Sequence, residues 1–193
     1  HSDSPLFPRL TESPSEFPPQ YAETDELQTE KNSSGEQNIW GSVDIIWEPS
    51  SGEIFSSTRT PDLVIRHYKV SYFLTPPWCS DCIVVENLET DTTLGTVGLK
   101  VTLKNPTHLI AYDVRGMLRI PESYELKLLN ADGYTDLFPV AGIKNPAPFK
   151  TYAGNLPQHQ FSPSASFSQT FELKTNPGSN PLNFTILVTA GHP

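Results

Sequence analysis

Clusters of basic residues are missing from this chain. Its 13 lysines and arginines are scattered among 22 aspartates and glutamates, for a formal charge of −9 at pH 7. Binding to DNA or RNA by counterion release needs a basic surface, so nucleic acid is excluded as a partner. An anionic bilayer would repel the chain for the same reason. Apolar runs long enough to cross a bilayer as a helix are also lacking, so no transmembrane segment is expected. Neither a phosphate-cradling glycine motif nor a G-x-S-x-G nucleophile elbow occurs. Glu122 and Glu125 in PESYEL are the nearest approach to a paired carboxylate site. Catalytic pairs must flank a cleft at a fixed separation, nothing in the sequence supports that here, and the two read as surface glutamates. No enzymatic activity is expected.

Cysteine is almost absent as well: Cys79 and Cys82 are the only two. In PPWCSDCIVV a c-type haem site would need His after the second Cys, where Ile83 stands. Zinc would need two further ligands at suitable spacing. A thioredoxin-like redox pair opens a helix after a strand, whereas here Pro-Pro-Trp precedes and a strand follows. What remains is a local structural disulfide, which fits an oxidising compartment. The chain opens on His1 rather than Met, as a processed or trimmed product would, with a secreted precursor as the expected source.

What is present is distributed unevenly. Residues 1–60 hold eleven of the 22 acidic groups but three of the 13 basic ones. The first 36 residues carry five prolines and no apolar period. They read as an extended acidic arm, with Phe7, Phe17 and Tyr21 as anchors for pockets on a neighbouring subunit. Pro-rich segments suit that role because they are already partly extended when free.

From residue 37 the pattern changes to short strands separated by turn residues. Val43, Ile45 and Trp47 share one face of IWGSVDIIWEPS. EIFSSTRT follows a turn at Pro49–Gly52, DLVIRHYKVSYFL alternates up to Pro76–Pro77, and CIVVENL gives a short strand. In 97–104, Val97, Leu99, Val101 and Leu103 point inward, and Leu182, Phe184, Ile186 and Val188 do so in the last strand. Residues 109–120 give one or two strands broken at Gly116, YELKLLN another, and SASFSQTFEL another. The Pro/Gly-rich region 139–163 reads as a long ordered loop. About eight to ten strands without long amphipathic helices indicate an all-β, immunoglobulin-like β-sandwich spanning 37–193 as one domain. The last strand, with little charge, is expected at a central position.

Two metal readings arise. Asn130, Asp132 and Asp136 in NADGYTD could wrap calcium around Gly133, with Asp113 as an extra ligand, although a β-turn explains the same letters. His1 could chelate copper with His67, His108, His159 or His192, but a flexible tail is a poor support for a catalytic ligand. Sequons occur at Asn32 and Asn183. Trp40, Trp47 and Trp78 could stack on sugars. Trp47 is expected in the core, and Trp78, between prolines and the cysteines, is the exposed candidate for a ligand platform.

The phrases RHYKVSYFL, the Cys79–Cys82 pair, VTLKNPT at 101–107, YDVRG at 112–116 and NADGYTDLF at 130–138 occur in an order that resembles a sandwich-like domain of secreted proteins and lipoproteins of environmental bacteria. The resemblance implies no enzymatic activity. Asp113 and Arg115 within YDVRG sit at i,i+2 and are expected to pair. Taken together, the sequence points to a noncatalytic, secreted or cell-surface structural protein. It would join copies of itself or another extracellular protein, as in a surface filament or complex, through its arm or an exchanged strand. A carbohydrate- or cell-surface-binding module, without cofactor or stabilised by calcium, is the alternative.

Overall fold

The computed structural model describes residues 31–32, 35–59, 73–74 and 78–192. The expected arm anchors Phe7, Phe17 and Tyr21, the copper candidates His1 and His67, and most of DLVIRHYKVSYFL lie outside the described residues. Among the described residues backbone pairing begins at Lys31, where β1 (Lys31–Asn32) pairs with the start of β2 (Gly35–Glu48), so the last residues assigned to the arm (1–36) are paired in the sheet.

Two antiparallel sheets pack face to face as a β-sandwich. The larger joins β1, β2 and β3 (Glu53–Arg59) to β12 (Leu182–Gly191), β6 (Ala111–Arg119), β9 (Ala147–Thr151), β8 (Gly133–Thr135) and β10 (Gln160–Phe161). Its order runs β2-β12-β6-β9-β8, with β3 on the free side of β2 and β10 beside the start of β6. The smaller sheet has the order β4 (Ile83–Asp91), β5 (Thr96–Lys104), β11 (Ser166–Lys174) and β7 (Lys127–Leu128). β12 is central, held by β2 on one side and β6 on the other. Among the described residues the only helical element is one 3-10 turn, Pro157–His159. No helix among the described residues is long and apolar enough to cross a membrane.

The strict alternations produce the core. Val97, Leu99, Val101 and Leu103 of β5 and Leu182, Phe184, Ile186 and Val188 of β12 are all buried between the sheets. They meet Val43, Ile45 and Trp47 of β2 and Phe171 and Leu173 of β11. Trp40 is also in this core although it is out of phase with Val43. The reason is a bulge: Val188 pairs with Gly41 and Thr189 with Ile39, so Trp40 is the extra residue and turns inward. β6 runs unbroken through Gly116, contrary to the expected break. The glycine there makes room, since an added Cβ would lie 2.9 Å from Phe171 Cζ of the facing sheet.

Two other expectations change. Region 139–163 is not a continuous loop, because Ala147–Thr151 pairs with both β6 and β8. Its Pro148, without an N–H, obscured the strand. YELKLLN contributes only the two residues of β7, paired with the end of β11.

A second, smaller apolar layer covers the outer face of the larger sheet. Ile39, Met117 and Leu187 project there against Leu137, Phe138 and Ala147, with Val140 and Phe149 at its margin. Sheet faces turned to water are usually polar, so this layer marks where the molecule departs from a plain sandwich.

Candidate functional site

The outer face of the larger sheet carries a concavity of about 540 Å³ beside that layer. Its floor is built by cross-strand register. Ser57, Asp44, Thr185 and Arg119 lie in one row across β3, β2, β12 and β6. The next row along the strands is Phe55, Ile46 and Asn183. On the other side of the polar row lie Ser42, Leu187 and Met117. A polar stripe is thus bordered by apolar side chains, and Phe55 and Ile46 remain 52% and 40% exposed.

One wall is the segment after β6, with Pro121, Val140, Ala141 and Ile143. It is fixed by backbone bonds: Lys144 N donates to Ile120 O at 2.7 Å, and Glu122 N to Gly142 O at 2.9 Å. Arg119, largely buried, donates from Nη2 to the Phe138 carbonyl at 2.7 Å and so ties the sheet to this segment. Thr185 Oγ1 donates to Asp44 Oδ1 at 2.8 Å. The floor is therefore ordered by its own hydrogen bonds. A cleft of this size, mostly apolar with a few placed polar groups, has the character of a binding site.

The residues expected to bind calcium do not form a vacant oxygen cage. Lys150 Nζ donates to Asn130 O at 2.9 Å and to Asp132 Oδ1 at 3.1 Å. Thr151 N donates to Asp132 Oδ2 at 2.7 Å, and Glu172 N to Asn130 Oδ1 at 3.0 Å. An ammonium group thus occupies the position a hard cation would take, and the donor set does not fit calcium as arranged. Asp136 follows β8 and is exposed. Asp113 is engaged elsewhere: its Oδ1 lies 2.6 Å from His159 Nδ1.

That contact joins two strained backbones, with φ of 49° at Asp113 and 53° at His159. The positive φ breaks the alternation of β6. Asp113 therefore turns to His159, while Arg115 lies over the Phe149 ring, 4.5 Å from its centre. His192 accepts a hydrogen bond from Trp40 Nε1 at 3.2 Å. His108 is exposed on the loop before β6. Among the described residues the only close group of three metal-ligating side chains is Cys79, Asp81 and Cys82, and its two sulfurs form the expected disulfide.

Trp40 and Trp47 are buried, whereas Trp78 is 60% exposed and packs edge-on against the buried Phe73. Asn183 is exposed at the rim of the concavity and Asn32 lies in β1. Glu122 and Glu125 are exposed in the turn after β6. Comparison with protein-family models, with curated proteins and with solved structures finds no match for this chain.

Sequence reasoning did not find the concavity. Its floor joins residues more than a hundred positions apart, and only the strand order brings Ser57 and Thr185 into one row. A signal did exist: with Val43, Ile45 and Trp47 facing inward, Ile46 had to face outward beside Asp44.

Proposed function

We propose that this chain is a noncatalytic, secreted or cell-surface assembly protein, with the outer-face concavity as the seat for a neighbour's polypeptide. The observation that carries this reading is the exposed apolar pair Phe55 and Ile46 lining an ordered cleft. Exposed apolar surface with a polar border is characteristic of sites that other chains cover. The proposed occupant is the acidic, Pro-rich segment 1–30 of an adjacent copy, the part of the expected arm ahead of β1, whose Phe7, Phe17 and Tyr21 supply aromatic anchors. An extended segment of that length reaches roughly 100 Å at about 3.1 Å per residue, ample to span to a neighbour. In this reading the sandwich is immunoglobulin-like, the copies form a surface filament or complex, and the Cys79–Cys82 disulfide suits an oxidising exterior.

Light scattering on the full chain over a wide concentration range tests the proposal. Assembly that grows with concentration and is lost in Phe55→Glu/Ile46→Glu, with the fold intact by circular dichroism, is the expected result. A monomer at every concentration, for both proteins, sinks self-assembly.

The exposure of Trp78 favours a second reading, a carbohydrate- or cell-surface-binding module using that ring as a platform. Glycan-array binding abolished by Trp78→Ala, with unchanged oligomeric state, would select it over assembly.

A further inference from the structure

The loop Trp78–Cys82 has an asymmetry that a purely structural staple does not need. Cys82 is only 1% exposed, packs in the main core, and its carbonyl accepts the Lys104 N–H at 2.9 Å. Cys79, three residues earlier, is partly exposed. Ser80 and Asp81 between them are exposed, as is Trp78 before them. One half of the disulfide, Cys79, is therefore partly exposed at the margin of the core, and the other half is shielded within it. The ring is also so small that it removes little freedom from the unfolded chain. The paired residues of β4 begin at Ile83, just past the ring, so attack on the disulfide does not require the ladder to part.

Charge sets which thiols can approach. Asp81 Oδ1 lies 3.3 Å from Cys79 Sγ. The attacking species is a thiolate, which this carboxylate repels. A positive charge carried beside the attacking sulfur offsets that repulsion.

We propose that Cys79–Cys82 is an exchange-competent disulfide, attacked at Cys79 by a thiol that carries or is flanked by positive charge. The thiolate of an incoming dithiol bonds to Cys79 Sγ as the Cys79–Cys82 bond breaks. Cys82 leaves as a thiolate and takes a proton from water. The second thiol of the reagent, after losing its proton to water, attacks its partner sulfur in the mixed disulfide. This closes the reagent's own disulfide and releases Cys79, which is protonated in turn. The dithiol is oxidised by two electrons, and the protein gains two electrons and two protons. The exposed Trp78 ring, next in sequence, reports the opening and offers an apolar contact for the thiol's carrier.

The test uses the full-length oxidised protein without denaturant. With dithiothreitol, acid quenching and alkylation, mass spectrometry should find two labelled cysteines while far-ultraviolet circular dichroism stays unchanged. Two monothiols of similar size, cationic cysteamine and anionic 2-mercaptoethanesulfonate, are then compared at low ionic strength, with rates corrected for thiolate fraction. One charge about 7 Å from a carboxylate in water shifts a rate roughly threefold, so the cationic reagent should form the Cys79 adduct roughly tenfold faster. The ratio should shrink in Asp81→Asn, an exposed substitution that leaves the core untouched. A disulfide that yields only after denaturant is added overturns the proposal, as do an adduct on Cys82 and equal rates for the two thiols.

Discussion

Tyr152 and Val101 tie the two sheets together: the buried Tyr152 hydroxyl donates to the Val101 carbonyl of β5 at 3.0 Å. Tyr152 follows β9 in the larger sheet, and its N–H donates to Val114 O of β6 at 2.8 Å. Ring and hydroxyl together cross the interior, and burial raises the phenol pKa well above its ordinary value of 10.0. Replacing Tyr152 by Phe keeps the ring but removes the bond, at an expected cost of about 1–2 kcal/mol. Urea unfolding measures the loss, and an unchanged midpoint would show the bond to be dispensable.

Gly116 faces the same interior. An alanine Cβ there would stand 2.9 Å from Phe171 Cζ and 3.4 Å from Ile186 Cγ2. Since neither neighbour can leave a packed core freely, Gly116→Ala should destabilise by about 1–3 kcal/mol. Gly98 is the control, because nothing lies nearer than 3.7 Å to a Cβ built there. Thermal melts of the two variants check this: Gly98→Ala should be close to neutral, and an equal loss in both would overturn the steric account.

His192 makes stability depend on pH. Burial lowers its pKa from 6.5 to about 4, against an opposing hydrogen bond with the Ile110 backbone. The neutral Nε2 accepts from Trp40, and a protonated ring could not. Between these two pKa values the unfolded chain binds the proton and the folded one does not. Its contribution is therefore intact above about pH 6.5 and is lost as pH falls towards 4, by about 3 kcal/mol. Chemical denaturation from pH 7 to 4 should show that decline, with a flatter profile for His192→Gln. Parallel profiles would exclude His192 as the cause.

Lys150 offers a metal test. Its ammonium bridges Asn130 O and Asp132 Oδ1, so Lys150→Met should cost roughly 1–3 kcal/mol, the scale of hydrogen bonds to charged groups. Calcium or EDTA should leave the melting temperature of the unaltered protein where it is. A clear rise with calcium would mean that the ion displaces the ammonium.

Strands with clean alternation are legible in the amino-acid order itself, β5 and β12 most of all, because one side chain in two has to be buried. The central place of β12 follows from its shortage of charge, and the exposure of Trp78 from its proline neighbours. Trp40 is illegible because a bulge shifts its phase relative to Val43. β9 hides behind Pro146 and Pro148, and its pairing depends on distant partners in β6 and β8. The Asn130–Asp132 turn suggests calcium because its letters show acceptors only, and the donor that satisfies them, Lys150, arrives from another strand. The concavity is least accessible of all, since its polar row is a product of strand order alone.

The position of β12 also governs when the protein can fold. β2 and β6 have no pairing with each other, and residues 182–191 bridge them. During synthesis both strands must wait, with edges open, until nearly the last of these residues has emerged. Such late, long-range closure is slow and leaves unpaired edges exposed. A chain cut short before residue 182 would keep two long strand edges, on β2 and β6, with nothing to cover them.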